Sequence, residues 1–248
     1  MLRTEHLEVE SSLESFFADG LITEIVGLVR QGKEATVYCC RGSSWSGCEY
    51  LAAKVYRPID QRAFRNDAVY QPGRDRPLAA RDRRALARKS HQGRMVQFGV
   101  WVHSEFETLK LLYDAGANVP EPIAVGGSAL LMEFIGDGIE PAPMLARVSM
   151  TPEQARSCLK VILDNVALWL RNDRVHGDLS AYNILYREEG IVVIDFPQAS
   201  DARFNPNART LLERDIENVC NHFRCSGFEP DPLRISAEMW RRYRLGEL

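Results

Sequence analysis

Between Ile22 and Tyr56, apolar and polar residues alternate loosely in runs rich in Ile, Val and Tyr, broken by polar turns. A period near two with β-branched and aromatic residues predicts strands. Three are expected, at Ile22–Arg30, Ala35–Arg41 and Tyr50–Tyr56, joined by a turn at Gln31-Gly32-Lys33-Glu34 and a loop at Gly42–Gly47. Their close succession predicts an antiparallel meander. A short helix is expected before them, at 11–19. From about Met95 to Ala115 the period changes: Trp101, Glu105, Leu109 and Leu112 recur on one helical face, with Gly116 as a left-handed stop and Pro120 barring continuation. Glu105 is the odd member, because a carboxylate on or beside an apolar face requires a partner or a path to solvent.

Ala129–Phe134 is a short apolar run and reads as a strand. Gly136, Gly138, Pro141 and Pro143 then mark a linker. Thr151-Pro152-Glu153-Gln154 combines a capping threonine, a first-turn proline and a capping-box glutamine, and apolar residues at 155, 158, 159, 162, 163, 166, 169 and 170 continue at helical spacing. Ile184–Tyr186 and Ile191–Ile194 form a hairpin pattern around Glu188-Glu189-Gly190. Residues 206–224 read as a helix, and the last twenty as a polar tail that includes some helix. The fold class expected is α+β. Residues 1–21 are an extension, 22–135 a first lobe and 136–248 a second, mainly helical one.

Charge adds one feature. The chain of 248 residues has a net charge of −3, yet residues 57–94 hold eleven basic and four acidic residues, a local net of +7. With Pro58, Pro72, Gly73, Pro77 and Gly93 interrupting it, this stretch reads as a flexible basic insertion, suited to RNA, phosphate or an acidic partner. No run approaches the roughly 18 apolar residues of a membrane span, and the N-terminus lacks a secretory pattern, so a cytoplasmic protein without a membrane partner is expected. The six cysteines have no CxxC spacing and read as free thiols. Of the adjacent Cys39 and Cys40, one is expected to face inward and one outward.

The candidate chemistry lies in Val175-His176-Gly177-Asp178-Leu179-Ser180-Ala181-Tyr182-Asn183, followed by Ile191-Val192-Val193-Ile194-Asp195. Asp178 and Asn183 share a tight loop between a helix and a hairpin, and Asp195 closes an apolar strand. Phosphoryl transfer needs such a set: a carboxylate and an amide to hold Mg²⁺ against phosphates, and a second carboxylate to orient the attacking oxygen. Gly32-Lys33-Glu34-Ala35-Thr36-Val37-Tyr38 can lay backbone N–H groups over phosphates. Lys54, among apolar strand neighbours, requires an anion or Glu105 as its partner.

Taken in order, these segments resemble the RIO family of atypical protein kinases, particularly its first subfamily. GKEATVY is similar to that family's phosphate-binding loop and AAKVY to its lysine strand. WVHSEFETLKLL with VPEPI resembles its αC helix and the following strand, and LLMEFIG with PAP its hinge. VHGDLSAYNILY and VVIDFPQA resemble its catalytic and metal-binding loops. The match runs over roughly residues 20–225. It implies a bilobal kinase-like fold, ATP with Mg²⁺ (Mn²⁺ as an alternative ion), and serine/threonine kinase or autophosphorylating activity. By position it implies phosphate-loop contacts from Gly32, Lys33, Glu34, Ala35 and Val37, and a phosphate-binding Lys54 paired with Glu105. It further implies backbone hydrogen bonds to adenine from Glu133 and Ile135, Met132 behind the base, Asp178 as the catalytic aspartate, Ser180 near the γ-phosphate, and Asn183 and Asp195 on the metal. His176 is expected to be structural.

The departures from ordinary protein kinases bear on function. Only Gly32 stands where a glycine-rich loop has three glycines, Asp195-Phe196-Pro197 replaces DFG, and APE is missing. Fifty-three residues follow Asp195, too few for the usual activation segment and peptide-docking helices. The short N-terminus leaves no room for the winged helix of the second subfamily. The family's role in ribosomal small-subunit maturation implies an alternative, an ATPase-type conformational switch, with which these features agree; the family's aspartyl-phosphate chemistry raises, and the sequence leaves open, phosphorylation of Asp195 itself. A small-molecule kinase resembling the aminoglycoside or choline phosphotransferases is a third reading, disfavoured by GKEATVY and PAP.

Overall fold

The computed structural model describes residues 2–44, 46–57 and 91–248. The expectations for 58–90 of the basic stretch, and for the Trp101 side chain, lie outside the described residues. By contacts the chain divides into two units. Of the described residues, the first holds those up to 57, 91–107 and 120–141, and the second 108–119 and 142–248.

The first unit is built on a five-stranded antiparallel sheet of β1 (Ile22–Gln31), β2 (Ala35–Gly42), β3 (Tyr50–Tyr56), β4 (Pro122–Gly126) and β5 (Ala129–Glu133), in the order β1-β2-β3-β5-β4. The expected meander supplies its first three strands. Helix α1 (Leu2–Ala18) is longer than the segment 11–19 suggested. It inserts Leu13 and Phe16 into a core of Ile22, Cys40, Leu51, Ala53, Ala129 and Leu131 on one face of the sheet. Burial of such side chains contributes about 1.5–3 kcal/mol each, which explains how a helix with a weakly patterned first half is held in place.

The other face follows from register. Ala35, Val37 and Cys39 pair with Tyr56, Lys54 and Ala52, and Lys54 and Ala52 pair with Leu130 and Met132. Because side chains alternate along a strand, these residues all point away from the α1 core. Helix α2 (His91–Asp114) contributes Glu105 to this face. Both faces are therefore covered, and Cys39 and Cys40 are both buried, which corrects the expectation of one inward and one outward thiol. All six cysteines are free thiols. Burial pushes the Cys40 thiol up to about 12 and Cys158 and Cys220 to about 11. Beyond β5, the expected linker forms a two-rung hairpin, β6 (Gly136–Asp137) with β7 (Glu140–Pro141). A Cβ at Gly136 would lie 2.2 Å from the Glu140 carbonyl oxygen, so only glycine fits.

In the second unit, α3 (Pro152–Arg171) starts with the predicted capping box: Thr151 Oγ1 accepts from Gln154 N–H, and the Gln154 side chain accepts from Thr151 N–H. Its buried stripe includes Cys158, Leu159, Ile162, Val166, Trp169 and Leu170. After it come β8 (Arg174–Val175), the hairpin β9 (Ile184–Arg187) and β10 (Gly190–Val193), β11 (Ser200–Asp201), which pairs with β8, and helices α4 (Ala208–Phe223) and α5 (Pro232–Leu245). The polar tail is thus a helix, capped by Asp231 at its start and by left-handed Gly246 at its end. Among the described residues, no helix is long and apolar enough to cross a membrane.

Candidate active site

In the first unit, Lys54 Nζ lies 2.7 Å from Glu105 Oε1. Lys54 is 6% and Glu105 3% exposed, so each charge offsets part of the other's cost of burial. Of the two partners open to Lys54, an anion or Glu105, the structure supplies Glu105. Ala35, Val37, Lys54 and Met132 share this sheet face. Gly32 to Glu34 form the β1–β2 turn, closed by a hydrogen bond from Gly32 N–H to the Ala35 carbonyl at 2.8 Å. Lys33 is exposed and Glu34 half-buried. At the end of β5, Glu133 N–H donates to the Glu121 carbonyl at 2.8 Å. Glu133 therefore has only its carbonyl to offer a base, which narrows the backbone hydrogen bonding expected of it. Ile135 is buried.

In the second unit, Asp178, Ser180 and Asn183 lie on the loop between β8 and β9. Asn183 Nδ2 donates to the Asp178 carbonyl at 2.9 Å, and Asn183 N–H to the Ser180 carbonyl at 2.9 Å. Ile194 N–H donates to the Asn183 carbonyl at 2.9 Å, tying the loop to the segment that carries Asp195. The amide nitrogen of Asn183 is committed to the protein, which leaves Oδ1 as the end able to ligate a cation. Strand β10 stops at Val193, two residues earlier than a strand running to Asp195 would, and Asp195 has a left-handed backbone, φ 72°. This is a strained conformation for a residue with a side chain, of the kind that gathers at functional sites. Asp178 is open to solvent on one side, yet burial and then the charge of Asp195 raise its carboxyl above the ordinary range, with Arg214 acting against them. Two carboxylates close enough to repel, with Asn183 on the same loop as Asp178, offer oxygen donors. That is the chemistry Mg²⁺ prefers.

His176 packs between rings, 4.5 Å from Phe196 and 5.9 Å from Trp169, centroid to centroid. Its Nδ1 accepts from Asp178 N–H at 3.3 Å, which leaves Nε2 to donate to the Ile194 carbonyl at 3.4 Å. This neutral tautomer bridges the Asp178 loop and the Asp195 segment, so the ring's work is structural.

Sequence reasoning missed the supports beneath the loop. Asp215 of α4, 1% exposed, accepts from Gly177 N–H at 2.7 Å and Leu179 N–H at 2.9 Å. Burial pushes its carboxyl up to about 7, against the pull of those two N–H groups and of Arg214. Gly177 itself is left-handed, φ 80°. Arg214 donates to the Gly177 carbonyl and Asn218 to the Leu179 carbonyl. The available signal was a carboxylate inside the apolar stripe of Leu211, Leu212, Ile216 and Val219, the same anomaly that singled out Glu105. A second support is an asparagine pair. Asn165 Oδ1 accepts from Asn118 N–H at 2.7 Å, and the Asn118 carbonyl accepts from Val193 N–H at 2.8 Å, fixing β10 ahead of Asp195.

The RIO domain model matches residues 36–234. The chain is 34% identical over 213 residues to the RIO-type serine/threonine-protein kinase Rio1 of Haloferax volcanii, covering 86% of this chain and 68% of that protein. It is 32% identical over 205 residues to human serine/threonine-protein kinase RIO1, covering 82% of this chain but 34% of the human protein. The Rio2 kinase of Chaetomium thermophilum, solved as an ADP/Mg²⁺-phosphoaspartate complex, is similar in fold, with a TM-score of 0.64 at 18% identity over 95% of this chain and 75% of that one. A second structure of that kinase gives 0.65 at 22% identity, over 92% and 66%. With a family model spanning most of its length and Rio1 kinases as relatives, the chain belongs to the RIO family, and RIO-type ATP-dependent kinase function comes with that membership.

Proposed function

We propose that this RIO-family chain transfers the γ-phosphoryl group of ATP to a serine or threonine hydroxyl, with Asp178 as the catalytic aspartate. Residues 22–135 form the nucleotide-binding lobe and 136–248 the catalytic lobe, preceded by an extension at 1–21. Lys54, held by Glu105, binds phosphate oxygens. The Gly32–Val37 segment covers the phosphates, and Met132, the Glu133 carbonyl and Ile135 receive the base. Asp178 accepts a hydrogen bond from the attacking hydroxyl and orients it, and Ser180 adjoins the transferred group. Asn183 Oδ1 and the Asp195 carboxylate hold Mg²⁺, with Mn²⁺ as an alternative; when bound, the ion supplies charge neutralisation at the phosphates. The observation that carries this reading is the buried Lys54–Glu105 pair at 2.7 Å, on the sheet face shared by Val37 and Met132.

A second reading, an ATPase-type switch, draws on the Rio2 complex with phosphoaspartate. In it an Asp195 carboxylate oxygen bonds to the γ-phosphorus as the bond to the ADP oxygen breaks, and water then hydrolyses the acyl phosphate to Asp195 and free phosphate. A role on an RNA or ribosomal particle rests on the net +7 of residues 57–94, and a cytoplasmic location goes with it.

One experiment tests both. Protein is incubated with Mg²⁺ and γ-labelled ATP beside Asp178→Ala and Asp195→Ala, and label is sorted into free phosphate, acid-stable phosphoserine or phosphothreonine, and hydroxylamine-labile phosphate. Acid-stable protein label lost in both variants supports the kinase. Free phosphate with transient hydroxylamine-labile label supports the switch. Undiminished turnover in Asp195→Ala overturns the metal assignment.

A further inference from the structure

Lys54 and Tyr56 are two residues apart on β3 and project from the same face of the sheet. Lys54 Nζ lies 5.1 Å from the centroid of the Tyr56 ring. Tyr56 is 2% exposed, so the ring meets the ammonium out of water. The ring is placed by backbone on both sides: Tyr56 pairs in register with Ala35, and its N–H donates to the Ser128 carbonyl at 2.9 Å. Ala35 is also the residue that closes the Gly32 turn. A lysine carries its charge on a flexible four-carbon stem with three rotatable donors. The Glu105 carboxylate 2.7 Å away compensates the charge and restrains the stem from its own side. The face of an aromatic ring attracts the ammonium through its quadrupole, and more strongly where water is excluded.

We propose that Tyr56 is a positioning residue for Lys54. Its ring supplies a charge-stabilising contact which, together with Glu105, fixes where the ammonium stands when phosphate oxygens arrive. This inference rests on the reading of Lys54 as a phosphate ligand. Such a ligand acts on bound nucleotide before and during transfer, so loss of the ring appears in KM for ATP and leaves kcat nearly unchanged.

The test compares Tyr56→Leu, Tyr56→Phe and Lys54→Ala. Tyr56→Leu is expected to raise KM for ATP about 3- to 30-fold, the range of a partly desolvated cation–π contact, with kcat within about twofold. Tyr56→Phe, which keeps the ring, is expected to restore the wild-type KM. A readout without nucleotide accompanies the kinetics. The chain has five lysines, so carbon-13 at lysine Cε gives a sparse NMR spectrum in which the Lys54 signal, assigned by its loss in Lys54→Ala, is expected to be ring-current shifted in the wild type and in Tyr56→Phe but not in Tyr56→Leu. An unshifted Lys54 signal in the wild type overturns the contact even if the leucine variant fails to fold. An unchanged KM in Tyr56→Leu, beside weakened ATP binding by Lys54→Ala in titration calorimetry, overturns the role of Tyr56 and leaves the Lys54 reading standing. Unweakened ATP binding by Lys54→Ala overturns both.

Discussion

Asp215 accepts hydrogen bonds from both Gly177 and Leu179, the residues flanking Asp178, at 2.7 and 2.9 Å. A buried helix carboxylate thus holds the backbone on either side of Asp178, the aspartate proposed to be catalytic. Replacing it with alanine leaves two buried N–H groups unpaired and is expected to destabilise the protein by roughly 2–4 kcal/mol, with a fall in kcat larger than any change in KM. Urea denaturation and steady-state kinetics check this; wild-type stability in the variant would contradict it.

The same residue predicts a pH dependence of stability. Burial raises the folded-state pKa of Asp215 from 3.8 to about 7, so between those values the native state holds a proton that the unfolded chain releases. The stability linked to that proton is complete below about pH 4 and is lost as pH rises through about 7. Urea midpoints measured from pH 5 to 8 should fall more steeply for the wild type than for Asp215→Asn. Parallel curves would show that Asp215 does not titrate in this range.

Arg214 lowers the pKa of Asp178, against burial and the charge of Asp195. Removing its charge in Arg214→Gln should raise the Asp178 pKa further. The acid limb of the kcat profile is then expected to move to higher pH, since more alkali is needed to ionise the Asp178 carboxyl. A limb that stays in place or moves to lower pH would contradict the assignment of Asp178 as the group that titrates in it.

Lys54 and Glu105 form a buried pair, and removing one partner strands the other's charge. Lys54→Met is expected to cost about 3–5 kcal/mol and to remove ATP-dependent turnover. Mutating both to Met and Leu should recover much of the stability but none of the turnover. Calorimetry and a turnover assay separate the structural from the chemical share.

Asp195 combines a left-handed backbone with repulsion from Asp178. Asparagine tolerates that backbone better than other non-glycine residues. Asp195→Asn should therefore lose Mg²⁺-dependent turnover while melting at or above the wild-type temperature. Asp195→Ala should lose turnover and about 1 kcal/mol of stability. A large destabilisation of the asparagine variant would mean that the carboxylate is structural.

Much of this protein was determined by local pattern. The capping box of α3, the β9–β10 hairpin, the Gly116 stop and the first three strands depend on neighbours a few residues apart, and period and turn chemistry report them directly. The same holds for Asp178 and Asn183, which share one short loop. Lys54 and Glu105 were legible as anomalies, charges in apolar surroundings that needed partners, although the sequence left open whether Lys54 would meet an anion or Glu105. Tertiary structure decided that choice, and it alone decided whatever depended on contacts across long separations. The seating of α1 on the sheet came from burial of Leu13 and Phe16 against distant strands. The second cover over the sheet buried Cys39 as well as Cys40. Asp215 met a loop thirty-six residues away, and the left-handed turn at Asp195 ended β10 short of it. Periodicity records which face a residue occupies; only the packed chain records what stands opposite, because that partner is brought in by folding rather than by proximity along the backbone.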